Sequence, residues 1–250
     1  MIIYLAAYKT IEKIYTGDPN DVYILSSFFE HKNGKFGDYV YSKKHILDSG
    51  AFSTFSNPNQ AKNNNWDDYV SRYINFIKLT SQKLFFELDI DAIIGLKKVE
   101  YYRSKIEDAV GIQPIPVWHK SRGWDYYEMM VEKYKYVAIG TTLALQQGKK
   151  IRSNPMILKK FIDTAHNKGA KIHGLGFTST PNLVKLKFDS VDSTTWINGA
   201  KFGNIMIIDK NGCIRQKSKK SNTRVNDPNA INLYNFNVWL RFQKYAELNL

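Results

Sequence analysis

The chain has 250 residues, 43% of them hydrophobic and 14% aromatic, and 36 Lys+Arg against 23 Asp+Glu give it a formal net charge of +13. The single cysteine, Cys213, excludes an intrachain disulfide framework and any zinc site built from several cysteines. The length fits one α/β barrel, and the basic charge favours a polyanionic partner, either a nucleic acid or an acidic membrane.

The sequence also bears on location. No segment approaches the roughly 18 to 20 consecutive apolar residues of a membrane span. The N-terminal residues lack the charged start and the small-residue cleavage site of a signal peptide. We therefore expect a cytoplasmic protein with no membrane association.

Short apolar runs alternate with amphipathic segments over residues 1–200. Eight runs predict strands: Ile2–Tyr8, Val22–Phe29, His45–Phe52, Leu84–Asp91, Ile115–His119, Tyr136–Gly140, Lys171–Phe177 and Phe188–Ser193. Helical spacing predicts Trp66–Thr80, Leu96–Val110, Trp124–Tyr134, Pro155–Lys168 and a short turn at Pro181–Lys185. This order predicts an α/β fold, a (β/α)8 TIM-like barrel. Because residues 31–44 read as loop, an incomplete or irregular barrel is an open alternative.

The pattern changes over residues 201–250. Asn204–Ile208 and Cys213–Gln216 flank an Asp-Lys-Asn-Gly turn, which predicts an appended β-hairpin. A basic loop, Lys217–Asn226, precedes a predicted helix from Pro228 to Glu247. With no internal repeat, the sequence predicts one domain spanning residues 1–250.

The predicted fourth strand alternates strictly. Leu84, Phe86, Leu88 and Ile90 share one face, and Phe85, Glu87, Asp89 and Asp91 share the other. In a barrel the apolar face would contact the helices, and Asp89 and Asp91 would face the lumen near the C-terminal rim, where such barrels hold their sites. An edge strand with a solvated acidic face is the alternative.

The same alternation of side chains in the last predicted strand predicts that Asp192 faces the inside of the barrel and that Asp189 faces outward. Asp48 ends another apolar strand, and Gly50 just after it allows a ligand to approach the backbone closely. Each feature alone also fits an ordinary turn or cap. A barrel would nevertheless bring Asp48, Asp89 and Asp192 to one face.

Five ordered motifs carry a family resemblance. They are Leu47–Ser53 (LDSGAFS), Phe86–Asp89 (FELD), Val137–Gly140 (VAIG), His173–Gly176 (HGLG) followed by Pro181–Val184 (PNLV), and Phe188–Ser193 (FDSVDS). This set resembles the queuine and archaeosine tRNA-guanine transglycosylases, and more closely their smaller DNA-modifying relatives, the DpdA-like 7-deazaguanine DNA transglycosylases.

The resemblance implies roles for these residues. Asp192 would be the nucleophile, Asp48 the general acid and base, Asp89 the partner of the guanine edge, and Phe52 a stacking ring. Phe188-Asp-Ser190 alone would fit the last motif with Asp189, whereas matching both aspartates selects Asp192. The matched loops would add Gly140, Thr141 and Gly174 to the pocket. His119 and His173 lie at predicted rim positions, and for each the two interpretations are a pocket residue and a structural histidine.

The implied reaction replaces guanine in DNA with a 7-deazaguanine base such as preQ0, without a metal or other cofactor. The zinc-binding cysteines of the tRNA enzymes are missing here, and Ser53 and Thr141 replace family Gln and Gly residues. A tRNA substrate, a non-catalytic nucleic-acid-binding barrel and a Mg²⁺-dependent nuclease are the alternatives. A partner protein or a homodimer is left open.

Two basic groups are candidates for phosphate binding. Lys149, Lys150 and Arg152 follow the sixth predicted strand, and Lys217, Lys219, Lys220 and Arg224 follow the hairpin. Solvated loops are the alternative for both groups.

The loop after the hairpin can be tested directly. Changing Lys217, Lys219, Lys220 and Arg224 together to Ser should weaken DNA binding. Because each neutralised duplex phosphate contributes about 0.9 to the log–log salt dependence, the slope should also flatten. A salt titration of binding measures both quantities. Unchanged affinity and slope would make this loop a solvated linker.

Overall fold

A computed structural model describes residues 1–31, 37–51, 64–140, 154–199, 203–218 and 227–250. Its main sheet contains β1 (Ile2–Leu5), β2 (Ile24–Ser27), β3 (His45–Asp48), β4 (Val117–Trp118), β5 (Tyr136–Gly140), β6 (Lys171–Leu175) and β7 (Ser190–Ser193). All neighbouring strands are parallel, in the order β3-β2-β1-β7-β6-β5-β4. Their carboxyl ends therefore meet at one edge.

Helices connect these strands: α1 (Tyr8–Ile14), α2 (Phe28–His31), α3 (Trp66–Leu79), α4 (Asp91–Ile94), α5 (Leu96–Val110), α6 (Trp124–Lys133), α7 (Pro155–Asn167), α8 (Thr180–Leu183), α9 (Thr195–Asn198) and α10 (Pro228–Asn249). Local signals set their ends. The Asn154 side chain caps the start of α7, and Gly111, in a left-handed conformation, ends α5. Single turns of 3-10 helix occur at Pro19–Asp21, Asp38–Tyr41 and Lys120–Arg122.

The predicted fourth strand does not form. In its place, isolated parallel bridges join Leu47 of β3 to Phe85, and Phe86 to Ile115 just before β4. One short segment thus touches both edge strands, which requires the sheet to curl. The α/β class and the irregularity are confirmed, but the closed eight-stranded (β/α)8 barrel is wrong: the fold is a curled seven-stranded parallel sheet flanked by helices.

The predicted faces of this segment are wrong at Phe85, Phe86 and Glu87, and right at Leu88, Asp89 and Ile90. Phe86 packs inside the curled sheet with Tyr4, Ile46 and Ala138, whereas Phe85 packs in the helix-side core. Leu88 and Ile90 also belong to that helix-side core. Since Phe85 and Leu88 face the same way, strict alternation breaks between them. The break turns Asp89 back toward the inside of the sheet.

Glu87 fixes the segment where the ladder is missing. Its fully buried carboxylate accepts hydrogen bonds from Arg103 of α5 at 2.7 Å, from Arg122 at 2.9 Å and from the Val117 backbone N–H at 2.8 Å. Arg122 also bonds Asp91 at 3.1 Å. A helix, a 3-10 turn and β4 are therefore joined through one carboxylate.

The C-terminal elements pack onto the sheet. The predicted hairpin is confirmed as antiparallel β8 (Ile205–Ile208) and β9 (Ile214–Lys217). Helix α10 contributes Phe236 and Trp239 to the main core, and Gln243 donates to the Ile3 carbonyl at 2.7 Å. Of the described helices, none is both long enough and apolar enough to cross a bilayer.

Replacing Glu87 should test its structural role. Glu87→Ala leaves two buried arginines without their shared acceptor, so we expect the free energy of unfolding to fall by roughly 3–5 kcal/mol. Asp163→Ala is the control, because it removes only an exposed pair with Lys159 and should change stability little. Urea denaturation measures both variants, and equal losses would contradict the prediction.

Candidate active site

A cavity of about 610 Å³ opens at the carboxyl ends of the strands. It is lined by Ala6, Ala7, Leu25, Ser27, Phe29, Glu30, Asp48, Asp89, Leu175, Gly176, Asp192 and Thr194. The structure thus brings Asp48, Asp89 and Asp192 to one cavity, as the sequence predicted. Glu30 is a fourth carboxylate, and the sequence pattern did not indicate it. It lies in the short helix α2, just after β2, where only the apolar residues gave a signal.

Asp48 is held by the turn that follows β3. The Gly50 backbone N–H donates to its carboxylate. Gly50 has a φ of 65°, and a Cβ at this position would lie 2.4 Å from the Ser27 hydroxyl oxygen. Glycine is therefore required on both conformational and steric grounds.

The electrostatics of the cavity favour proton exchange by Asp48. Burial, together with the charges of Asp192 and Glu30, raises the pKa of Asp48 to about 6 despite the Gly50 hydrogen bond. Burial first, and then the charges of Asp48 and Glu87, raise the pKa of Asp89 well above its usual range. A carboxyl group that titrates near 6 is suited to giving and taking a proton near neutral pH.

Asp192 is oriented by contacts with Gly176 and His173. The Gly176 N–H lies 2.7 Å from its Oδ1, and His173 Nε2 lies 3.3 Å from the same atom. None of the hydrogen bonds among the described residues involves Oδ2. Because the carboxylate also lines the cavity, Oδ2 is the oxygen that is left available to a ligand.

Asp189 occupies a different environment. Its carboxylate accepts a hydrogen bond from the Ile172 backbone N–H at 2.8 Å and lies 3.0 Å from His166 Nε2, at a half-exposed position. Asp189 lies immediately before β7 and points away from the cavity, whereas Asp192 within β7 points into it, as the parity argument predicted. Asp189 therefore contacts His166 and the Ile172 backbone outside the cavity.

Four predicted pocket residues do not line the cavity. His173 is fully buried behind Asp192, and His119 is buried with its Nε2 3.7 Å from Asp89. A Cβ at Gly174 would meet Phe177 and Phe188, and one at Gly140 would meet the His119 ring. Strand parity explains Gly174, which points toward Phe177 and Phe188 because its neighbour His173 points to the inside of the sheet. Gly176 lies just beyond the end of β6 and has a φ of 64°, and its N–H reaches the site.

The remaining predicted residues are mostly outside the described residues. These are Phe52, Thr141, Lys149, Lys150, Arg152, Lys219, Lys220 and Arg224. Lys217 is described, and it lies exposed at the end of β9.

No group of three or more His, Cys, Asp or Glu side chains placed to hold a metal ion occurs among the described residues.

Comparison with protein-family models, curated proteins and solved structures found no match to this chain.

The raised pKa of Asp48 has a consequence for stability. Because ionising Asp48 is unfavourable in the folded state, its charge opposes folding above pH 6 and ceases to do so below its unfolded value of 3.8. Asp48→Asn should therefore raise the free energy of unfolding at neutral pH, by on the order of 3 kcal/mol at most. This gain should vanish as the pH falls through that window.

Urea denaturation across a pH series measures the difference between Asp48→Asn and the unsubstituted protein. Asp189→Asn is the matched control, since Asp189 lies outside the cavity and its replacement should give no gain at any pH. A gain for Asp48→Asn that is independent of pH would contradict the electrostatic explanation.

Proposed function

We propose that this protein is a base-exchange transglycosylase that replaces guanine in DNA with a 7-deazaguanine base such as preQ0, through a covalent aspartyl intermediate. The observation that carries the proposal is the joint placement of Asp48, Asp89 and Asp192 in one cavity at the carboxyl ends of the strands. The order of the sequence motifs supports the same reaction.

Asp192 is the nucleophile in this proposal. Its unpaired Oδ2 attacks C1′ of the sugar as the C1′–N9 bond to guanine breaks, through an oxocarbenium-like transition state, and a glycosyl ester forms. The Gly176 N–H on Oδ1 holds the carboxylate in place during attack. The phosphodiester backbone takes no part.

Asp48 moves the protons. Its pKa of about 6 lets it protonate departing guanine and then accept a proton from the incoming base, which attacks the same carbon and restores the original configuration. Asp89 lines the same cavity, and in this proposal it pairs with the hydrogen-bonding edge of the base. Its pKa, like that of Asp48, is raised by burial and by neighbouring carboxylate charges.

The cavity volume of about 610 Å³ lies in the range of sites that enclose a small ligand, so it suits one nucleotide rather than a stacked duplex. A base in duplex DNA must therefore leave the stack to react. The net charge of +13 favours the approach of the polyanionic strand.

Asp192→Asn should abolish base exchange while leaving the fold intact, because it removes the attacking oxygen but hardly changes volume. Asp189→Asn is the control and should retain exchange, since Asp189 lies on the outer face of β7. Mass spectrometry of nucleosides from DNA and tRNA, co-expressed with each variant and a 7-deazaguanine source, measures the reaction.

The alternatives give different results in the same experiment. If tRNA is modified and DNA is not, the substrate is tRNA and not DNA. An active Asp192→Asn variant with an inactive Asp189→Asn variant would reverse the assignment of the nucleophile. Strand cleavage that depends on added Mg²⁺ would indicate phosphodiester hydrolysis instead of base exchange.

A further inference from the structure

A row of hydrogen-bonded side chains ends on Asp192. The Tyr136 hydroxyl lies 2.5 Å from Ser190 Oγ, which also contacts His173 Nδ1, and His173 Nε2 lies 3.3 Å from Asp192 Oδ1. Three adjacent strands supply these groups: β5 carries Tyr136, β6 carries His173, and β7 carries both Ser190 and Asp192. The row therefore crosses the inside of the curled sheet.

The centre of this row is sealed from solvent. His173 is 0% exposed, and the rings of Phe86 and Tyr4 lie 5.1 and 6.1 Å from its own ring. Water therefore cannot set the tautomer of this imidazole, and its two polar neighbours must do so. Burial raises the pKa of Tyr136 to about 12, so its hydroxyl keeps a proton to donate.

The number of hydrogen-bond donors in the row determines which atom donates in each of its hydrogen bonds. An ionised Asp192 can only accept, so His173 Nε2 must carry the hydrogen that lies between them. With the ring neutral, Nδ1 then accepts from the Ser190 hydroxyl, and Ser190 Oγ in turn accepts from Tyr136. The opposite tautomer would set a bare Nε2 against a carboxylate oxygen. Of the two neutral tautomers, only the first gives every described polar atom in the row a partner.

We propose that His173 is a positioning residue for Asp192, with its tautomer fixed by Ser190 and Tyr136. Together with the Gly176 N–H it holds Oδ1, so that Oδ2 points at the sugar. The imidazole transfers no proton in this role: Oδ2 gains the bond to C1′, guanine takes its proton from Asp48, and Nε2–H stays on Oδ1. This inference rests on the proposed transglycosylase reaction.

The tautomer can be read without any reaction. The chain has only five histidines, so ¹⁵N NMR of labelled protein can resolve the His173 ring and assign it by comparison with His173→Gln. We expect hydrogen on Nε2, and we expect Tyr136→Phe, which keeps the ring volume, to perturb this signal. A ring protonated on Nδ1 alone would overturn the proposal.

Kinetics then separate positioning from folding. Tyr136→Phe and Ser190→Ala should each slow formation of the denaturation-resistant protein–DNA adduct about tenfold or more, with DNA affinity nearly unchanged. Thermal melting checks that each variant is still folded at the assay temperature, since Ser190→Ala leaves the buried His173 Nδ1 without a partner. The double variant should lose little more than the worse single variant, because both act through one imidazole. Additive losses, or losses that follow weakened DNA binding, would contradict the role.

Two further variants test His173 itself. His173→Gln keeps a donor near the position of Nε2 and should retain more activity than His173→Leu, which keeps none. His166→Gln is the matched control, because His166 contacts Asp189 outside the cavity and should leave adduct formation unchanged. Equal activity of His173→Leu and the unsubstituted protein would also overturn the proposal.

The two proposals fail in different ways. If the unsubstituted protein forms no adduct and exchanges no base in DNA or tRNA, the proposed function fails, whatever the NMR shows. If that protein is active but the Tyr136→Phe and Ser190→Ala variants match it, the function stands and the positioning role fails.

Discussion

The carboxylate of Glu87 is the interaction on which the arrangement of the site depends. A parallel sheet needs continuous ladders, yet the segment between β3 and β4 makes only isolated bridges. Glu87 replaces the missing ladder with three charge-assisted or backbone hydrogen bonds in a dry environment. Because Asp89 follows two residues later, anchoring Glu87 also determines where Asp89 enters the cavity.

The cavity itself is electrostatically unfavourable. Glu30, Asp48, Asp89 and Asp192 share one space, and burial together with neighbouring carboxylate charges raises the pKa of both Asp48 and Asp89. The same crowding therefore brings Asp48 toward the pH range in which a carboxyl group can both give and take a proton. Arg103 and Arg122 pair with Glu87 on the helix side, and the charge of Arg122 offsets only part of the rise in the pKa of Asp89.

The sequence predicted the features that depend on local pattern. Strand β5 and helix α5 form within the boundaries that periodicity gave, and the hairpin follows its Asn-Gly turn. Parity also separated Asp192 from Asp189, because β7 is a regular strand.

The parity rule placed Glu87 on the wrong face. Strict alternation between polar and apolar residues does not reveal that two arginines distant in the chain will bind Glu87. His173 was assigned to the cavity wall for a related reason: its partners Tyr136 and Ser190 lie on neighbouring strands, and only their pairing shows that the ring lies behind Asp192.

Asp48 and Asp192 each depend on a glycine amide, from Gly50 and Gly176, and both glycines have positive φ values. A backbone N–H does not depend on any side chain, so substitutions elsewhere in the cavity wall do not remove it. Positions such as Leu25, Phe29 and Thr194 can therefore diversify to fit different ligands while both carboxylates keep their donors. If the proposed reaction takes place here, the groups that perform chemistry are thus separate from those that would select a ligand, and few mutations would suffice to change specificity.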